Sequence, residues 1–421
     1  MDAIAKKVES IRALLNLPPP YCSGTCPVPS DKFKLFYEVD SQNTSKIDLC
    51  KATAADLDKL AKACLPATFG RNKEDVYDES YRKALKLETT AFAAHFDAES
   101  AGLVDIIRQE LLEGENDKRE IMLELYKLNV YGKGSFFKPH KDTPRHERMF
   151  GSLVVVFPIA HEGGEFVLRH GDKEWVVDFA KMLARSPEPS VGYVAFYSDT
   201  EHEVFPVASG HRVTLTYNLY FKAEKAVTDV AAPLPLPYES SFADELASLI
   251  SEPSFMPKGG YIGFGLRHEY PVSVGVNVDP LRTCLKGSDA AIARALNQLS
   301  LKWTLFVLVR NFYEGRYLSP CPLDLSEYSE HDDSSEPEDE LSNCKLVRVI
   351  DFDGEALVDE NGYYSTKGKE DLLEITEMPS KTSTEAQYAA YGNYVQLCHV
   401  YEHVVLVVDM GPKDDVEGCG P

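Results

Sequence analysis

The chain has 421 residues, which is long for one domain and makes two domains the natural expectation. Apolar residues make up 44% of the sequence and aromatic residues 10%, enough to bury a substantial core. The formal net charge of −23 argues against nucleic-acid binding, which needs a basic surface, and no apolar run reaches membrane-spanning length. The sequence therefore predicts neither a nucleic-acid nor a membrane partner.

The cysteines and the first ten residues indicate in which cellular compartment the protein is expected. Nine cysteines are scattered along the chain, and residues 1–10 are typical of a polar amphipathic helix and not of a secretory signal. Reduced thiols and a cytoplasmic or nuclear location are the expectation.

The first part of the chain predicts a helix-rich segment over residues 1–118. Residues 33–39 and 46–49 are expected to form a strand pair across a polar turn. Thr53 and Asp56 have the spacing of a capping box at the start of a helix. The expected helices cover residues 3–16, 53–64, 79–96 and 98–113.

From residue 121 the pattern changes to short runs rich in Val, Tyr, Phe and Thr, separated by turn residues. Such runs are typical of strands, and their number predicts a sandwich or barrel over residues 119–222. Residues 170–173 have the composition of a hairpin turn between two strands. The expected strands cover residues 122–130, 152–159, 165–169, 174–179, 193–197 and 212–221.

A Pro-rich segment at residues 232–237 predicts a linker, and residues 240–421 a separate C-terminal domain of mixed, β-rich structure. Helices are expected at 241–251 and 288–299. Residues 261–277, 303–309, 345–351 and 394–409 have strand-like patterns. An acidic run at 327–341 is interpreted as a solvated loop. Together these patterns predict an α+β chain.

Two residues in the segment 131–142 point to chemistry. His140 and Asp142 are two apart, so on an extended strand their side chains face the same side. One imidazole and one carboxylate are two thirds of the 2-His-1-carboxylate triad that binds non-haem Fe(II) and leaves positions open. His202, on a later predicted strand, is the candidate third ligand.

Arg212 follows His202 by ten residues and opens a predicted strand. A turn around residues 209–210 would fold it back towards the His202 strand. By the period-2 rule Arg212 and Thr214 share one face, and a guanidinium beside a hydroxyl is suited to holding a carboxylate.

At this point the sequence resembles the Fe(II)/2-oxoglutarate-dependent dioxygenase superfamily, and within it the prolyl 4-hydroxylase-like group. That group's spacing is kept at Tyr131, Gly134, Phe137, His140, Asp142, His202 and Arg212. The Gly163-Gly164-Glu165 segment also resembles the family. One departure is Arg212, where collagen-type prolyl hydroxylases have lysine. The close resemblance covers residues 120–222.

The resemblance implies a double-stranded β-helix (jelly-roll) catalytic core with flanking helices, which makes residues 1–222 the dioxygenase domain. It implies that His140, Asp142 and His202 bind Fe(2+), and that Arg212, Tyr131 and Thr214 bind 2-oxoglutarate. O2 would be the second co-substrate, and ascorbate could serve as a reductant. The implied reaction hydroxylates an unactivated C–H bond with release of succinate and CO2. The C-terminal domain would then be a second, iron-free jelly roll.

The sequence leaves the substrate and the function class open. A prolyl residue of a protein or peptide is the leading substrate, a small-molecule metabolite is the second, and a catalytically silent binding scaffold is the third. A cupin-like metal enzyme without 2-oxoglutarate is the fourth, and Arg212 discriminates against it. Two further His-x-Asp pairs, at His170/Asp172 and His331/Asp333, are interpreted as surface features.

Overall fold

The computed structural model of the protein describes residues 3–15, 19–71, 74–112, 119–143, 145–222, 237–311, 315–322, 345–350, 370–377, 391–392 and 400–411. The chain divides into two compact units. The first contains residues 19–232 and 390–398, and the second contains residues 1–18, 233–389 and 399–421. No helix in the described ranges is long and apolar enough to cross a bilayer.

The first part of the chain is mainly short strands. The predicted strand pair is confirmed as β2 and β3, and the capping box is present, since Thr53 and Asp56 bond reciprocally at the start of α2. The elements are α1 (Ala3–Leu14), β1 (Tyr21–Pro27), β2 (Lys34–Asp40), β3 (Asn43–Asp48), α2 (Ala54–Ala63), β4 (Leu65–Pro66), β5 (Phe69–Arg71), β6 (Glu74–Val76), β7 (Arg82–Lys83), β8 (Leu85–Glu88), β9 (Phe92–Ala94) and α3 (Leu103–Glu110).

The predicted helix at residues 79–96 is wrong, and the segment is not helix-rich. This stretch forms β7, β8 and β9, which pair with strands distant in sequence. Its Lys, Leu and Ala residues favour a helix locally, but propensity is a weak preference that sheet pairing overrides.

Helix α1 also differs from the expectation that residues 1–222 form one domain. Its buried residues Val8 and Ile11 belong to the core that contains Phe242 and Leu246 of the second unit. Burial of this apolar face, and not proximity in sequence, decides where the helix packs.

Residues 119–222 form the predicted succession of strands. Leu168 and His170 pair with Trp175 and Lys173, which confirms the hairpin turn at 170–173. The elements are β10 (Ile121–Tyr131), β11 (Phe136–His140), β12 (Met149–Val156), β13 (His161–Gly163), β14 (Phe166–His170), β15 (Lys173–Val177), α4 (Phe179–Ala184), β16 (Ser190–Tyr197), β17 (Glu201–Val204), β18 (Val207–Gly210) and β19 (Arg212–Phe221).

Two main sheets make up this unit. The larger has the order β1-β16-β12-β19-β10-β8-β4, and the smaller has the order β15-β14-β17-β11-β7. Residues from both sheets, among them Phe137, Val154, Phe166 and Phe196, share one buried cluster. The strand-rich core with few helices is the jelly roll that was predicted, and the predicted fold class is confirmed.

The second unit is β-rich, as predicted. Six of its strands close a barrel in the order β20-β24-β23-β22-β21-β26, and the ladders of β24 with β20 and β23 are parallel. Its further elements are α5 (Pro237–Ile250), β20 (Gly260–Val272), α6 (Gly287–Gln298), β21 (Trp303–Asn311), β22 (Gly315–Ser319), β23 (Lys345–Ile350), β24 (Glu370–Thr376) and β26 (Val400–Met410). β25 (Tyr391–Gly392) instead pairs with β5 of the first unit.

Asp289, at the start of α6, joins this helix to strand β20 of the barrel. Its fully buried carboxylate accepts hydrogen bonds from the backbone amides of Arg267 and His268 and from the hydroxyl of Tyr270. The predicted acidic run at 327–341 and residues 232–236 of the predicted linker lie outside the described residues.

Candidate metal and co-substrate site

The three predicted metal ligands come together inside the jelly roll. His140 closes β11 and lies directly opposite His202 of β17 in the antiparallel ladder, and Asp142 follows two residues after His140. The ligand atoms of all three residues lie within 4.8 Å of one another, and His202 Nε2 is 3.9 Å from Asp142 Oδ1. All three side chains are buried.

Backbone hydrogen bonds set the tautomer of both imidazoles. His140 Nδ1 lies 2.7 Å from the carbonyl oxygen of Lys138, and His202 Nδ1 lies 3.1 Å from that of Thr200. A carbonyl can only accept, so each Nδ1 carries the proton and each Nε2 keeps its lone pair for a metal. Burial, together with the neighbouring His202, holds the pKa of His140 well below its usual value.

Ser152 on β12 orients the carboxylate ligand. Its hydroxyl donates a hydrogen bond of 2.5 Å to Asp142 Oδ2. Oδ1, the other oxygen, is the one that faces His202. Sequence reasoning missed this residue, because β12 and the His140 strand belong to different sheets and only the packing of these sheets brings them together.

Aromatic rings fix the two imidazoles. Phe137 stacks on His140 with ring centroids 3.5 Å apart, and Phe166 and Phe196 lie 5.4 and 4.5 Å from the ring of His202. The apolar surroundings keep water away from the cluster and restrict the imidazole rotamers.

Arg212 lies at the start of β19, on the face that points into the jelly roll. It is 1% exposed, and its Nε and Nη2 have no hydrogen-bond partner within the described part of the chain. Burial lowers the pKa of its guanidinium to about 10, so the group stays charged at neutral pH. A buried guanidinium without an acceptor is costly, which indicates a site shaped for an anion.

The other two predicted co-substrate residues border Arg212. Tyr131 is opposite Arg212 in the β10–β19 ladder, with the guanidinium carbon 5.5 Å from its ring centroid. Thr214 is two residues along the same strand and is 1% exposed. The structure thus places all three predicted co-substrate residues on one wall.

The Gly163-Gly164 segment packs against this wall, which gives a physical reason for its glycines. Both residues have positive φ, +71° and +72°, which favours glycine. A Cβ on Gly164 would meet the Arg212 side chain at 3.2 Å, and one on Gly163 would meet the Pro206 carbonyl oxygen at 2.4 Å.

His161, which sequence reasoning missed, lies beside these glycines. Its Nδ1 is 2.7 Å from the carbonyl oxygen of Ile159, and its buried Nε2 has no partner among the residues that are described. Burial lowers its pKa, and the charge of Arg212 lowers it further, which places the two side chains close together. The only sequence signal was its position just before the two glycines.

These observations test whether Fe(II) and a keto diacid fit the site. Two imidazoles and one carboxylate converge, which is the donor set of the facial triad. The unsatisfied Nε and Nη2 of Arg212 supply buried donors for a distal carboxylate. The donor set therefore fits both groups.

The other His-x-Asp pair that the structure describes supplies no residue to the cluster of His140, Asp142 and His202. His170 is half-buried, with its Nε2 3.4 Å from Asp199 Oδ2, so its interpretation as a surface residue is wrong, while Asp172 is exposed. His331 and Asp333 lie outside the described residues.

Comparisons with known proteins agree with this geometry. Residues 126–220 match the family described as the 2OG-Fe(II) oxygenase superfamily. The matched segment contains His140, Asp142, His202 and Arg212. No curated protein matches the chain.

Solved structures with similarity to the chain include two prolyl hydroxylases. A prolyl-4-hydroxylase from Pseudomonas putida is 20% identical, covering 52% of this chain and all of its own, with a TM-score of 0.31. A Trichoplax adhaerens prolyl hydroxylase, solved with a hypoxia inducible factor oxygen degradation domain peptide fragment, is 15% identical, covering 52% of this chain and 92% of its own, also with a TM-score of 0.31.

The family match and the His-Asp-His cluster together imply the predicted cofactor set of Fe(2+), 2-oxoglutarate and O2. The role of ascorbate stays a prediction. The predicted resemblance to the 2OG-Fe(II) oxygenase superfamily is confirmed over residues 126–220.

Proposed function

We propose that this protein is an Fe(II)- and 2-oxoglutarate-dependent hydroxylase of an unactivated C–H bond, most simply in a prolyl residue of a protein or peptide. The observation that carries the proposal is the convergence of His140, Asp142 and His202 beside a buried guanidinium that lacks an acceptor. A silent scaffold would have no use for that arrangement, because a buried, unsatisfied charge lowers stability.

In the proposed mechanism, His140, Asp142 and His202 would hold Fe(II). When bound, the metal supplies the O2 activation that couples decarboxylation of 2-oxoglutarate, to succinate and CO2, with hydroxylation of the substrate. Arg212 holds the distal carboxylate of the keto acid by charge-assisted hydrogen bonds, and Tyr131 and Thr214 border it.

The protein also prepares the site before any ligand arrives. The carbonyl groups of Lys138 and Thr200 keep a proton on each Nδ1, and Ser152 directs Asp142. Phe137, Phe166 and Phe196 exclude water from the imidazoles. Such preorganisation lowers the cost of assembling the reactive complex.

A prolyl substrate is supported by the motif resemblance to the prolyl 4-hydroxylase-like group. The same residues would serve a small metabolite equally well, since none of them reads the substrate. For the second unit we propose a role in substrate docking or dimerisation.

The test has two steps. Protein with Fe(II), 2-oxoglutarate and O2 should release succinate slowly without substrate, and the His140→Ala variant should not; equal release by both would reject the proposal. Incubation with a matched cell lysate, followed by mass spectrometry, should then find a peptide heavier by one oxygen atom. A heavier metabolite in its place would support the alternative substrate class.

A further inference from the structure

The inner wall of the jelly roll carries a group of cations that the proposed reaction does not use. Lys127 and Asn129 on β10 share a face with Tyr131 because they are four and two residues before it, respectively. Lys127 is 3% exposed, and none of the described residues accepts a hydrogen bond or forms an ion pair with its ammonium group. A buried lysine without a partner is rare unless something else binds it.

Further cations surround this lysine. The Arg82 side chain is 3% exposed and donates to the Thr68 carbonyl oxygen at 2.7 Å and to Asn129 Oδ1 at 3.0 Å, while its buried Nε has no partner in the described ranges. Lys86 pairs with Glu88 at 2.8 Å, so this carboxylate is already engaged. The patch has a net positive charge in a chain whose total is −23.

The charges act on one another. Burial, together with the positive charges of Arg82 and Lys86, lowers the pKa of Lys127 to about 7, although the nearby Glu88 acts in the opposite direction. A group in this position gains from any anion placed beside it, because an opposite charge favours the protonated amine.

The strand register places this patch between the two halves of the proposed site. Lys127 is opposite Thr216, which is four residues along β19 from Arg212, whereas Ser152, the partner of Asp142, is opposite Asn218. A molecule that extends from Arg212 towards the metal ligands therefore passes along the wall that carries Lys127.

Two contacts link the patch to the metal ligands. Arg82 lies over the ring of Phe137 at 4.3 Å, and that ring stacks on His140. The Lys127 ammonium lies 4.3 Å from the centroid of the Tyr126 ring, and the pKa of Tyr126, raised mainly by burial, is raised further by Asp142. The patch is thus adjacent to the cluster and distinct from the Arg212 anchor.

We propose that Lys127 and Arg82 form a second anion-binding subsite, which takes a carboxylate held beside the metal centre. The proposal rests on the proposed function for its location, but not for its chemistry. The carboxylate belongs either to 2-oxoglutarate, as its second carboxylate, or to an acidic substrate. Asn129, which donates to Thr216 Oγ1 at 3.2 Å and accepts from Arg82, positions the guanidinium.

The test uses the full chain, loaded anaerobically with Fe(II), and calorimetry. In one arm 2-oxoglutarate is titrated; in the other, inorganic sulfate is titrated with and without 2-oxoglutarate present. Lys127→Met, which keeps the side-chain length without the charge, is compared with Lys127→Arg and with Lys46→Met, an exposed lysine on β3. Loss of one charge-assisted contact should weaken binding about 10- to 100-fold.

A loss confined to Lys127→Met in the first arm assigns the subsite to 2-oxoglutarate. A loss only in the sulfate arm assigns it to an acidic substrate. Unchanged affinity in both arms, an equal loss in Lys46→Met, or an equal loss in Lys127→Arg overturns the proposal. Circular dichroism melts confirm that each variant is folded.

The binding measurements test the subsite whether or not the protein turns over 2-oxoglutarate. Protein that consumes no 2-oxoglutarate but binds sulfate through Lys127 would reject the proposed function and retain the subsite. Protein that turns over 2-oxoglutarate but shows no dependence on Lys127 would do the reverse.

Discussion

Replacement of Arg212 by methionine should weaken the binding of 2-oxoglutarate and stabilise the ligand-free protein at the same time. The Nε and Nη2 atoms of this buried guanidinium have no acceptor in the described structure, so the keto acid would supply the missing partner. Charge-assisted hydrogen bonds contribute about 1.5–3 kcal/mol each, and their loss with partial compensation is expected to cost roughly 2–4 kcal/mol. That range corresponds to a rise in Kd of about 30- to 700-fold.

The stability effect has the opposite sign. Without ligand, the two unsatisfied donors are a liability, and a methionine of similar length fills the same space. We expect the free energy of unfolding to rise by about 1–3 kcal/mol, measured by urea denaturation without metal or keto acid. In excess 2-oxoglutarate and Fe(II) the unmodified protein should recover the difference, since ligand binding adds stability.

Anaerobic calorimetry with Fe(II) present measures the affinity, and Arg185→Met, at an exposed arginine, is the matched control. If Arg212→Met binds 2-oxoglutarate as tightly as the unmodified protein, the guanidinium does not contact the keto acid. If the affinity falls but the ligand-free variant is also less stable, the guanidinium has a partner within the protein even without the keto acid.

Three further predictions concern the metal cluster and the second unit. His140→Ala should abolish Fe(II) binding and succinate release, whereas His331→Ala should leave both intact; Fe(II) bound equally by His140→Ala would remove this ligand from the cluster. Ser152→Ala should lower Fe(II) affinity about 10- to 100-fold by releasing the Asp142 carboxylate, measured by competition with a chelator, and unchanged affinity would show that the hydrogen bond is dispensable. Asp289→Asn should lower the free energy of unfolding of the second unit by about 2–4 kcal/mol because three donors depend on its carboxylate, and a denaturation midpoint equal to that of the unmodified protein would contradict this.

The metal ligands and the co-substrate arginine could be predicted because the chemistry constrains their spacing. His140 and Asp142 need only the period of a strand to face one point, and Arg212 needs only a turn after the His202 strand. These relations are local in sequence, and the structure keeps them.

The residues that sequence reasoning missed depend on contacts between distant strands. Ser152 reaches Asp142 because the sheet that contains β12 packs against the sheet that contains β11, and Lys127 lies beside Glu88 because β10 and β8 pair. One sequence contains no record of these contacts. The helix predicted at 79–96 fails for the same reason, since β8 gains a partner in β10 that its local composition does not reveal.

The packing of α1 in the second unit has a consequence for the order in which the protein can mature. More than 200 residues separate Leu14 from Pro237, so α1 emerges from the ribosome long before the helix α5 that it contacts. Its apolar face therefore has no partner helix while the oxygenase segment is synthesised and folds as a unit, and chaperones can bind it during this time. The entropic cost of closing so long a loop grows only slowly with its length, so the delay is a matter of timing more than of final stability.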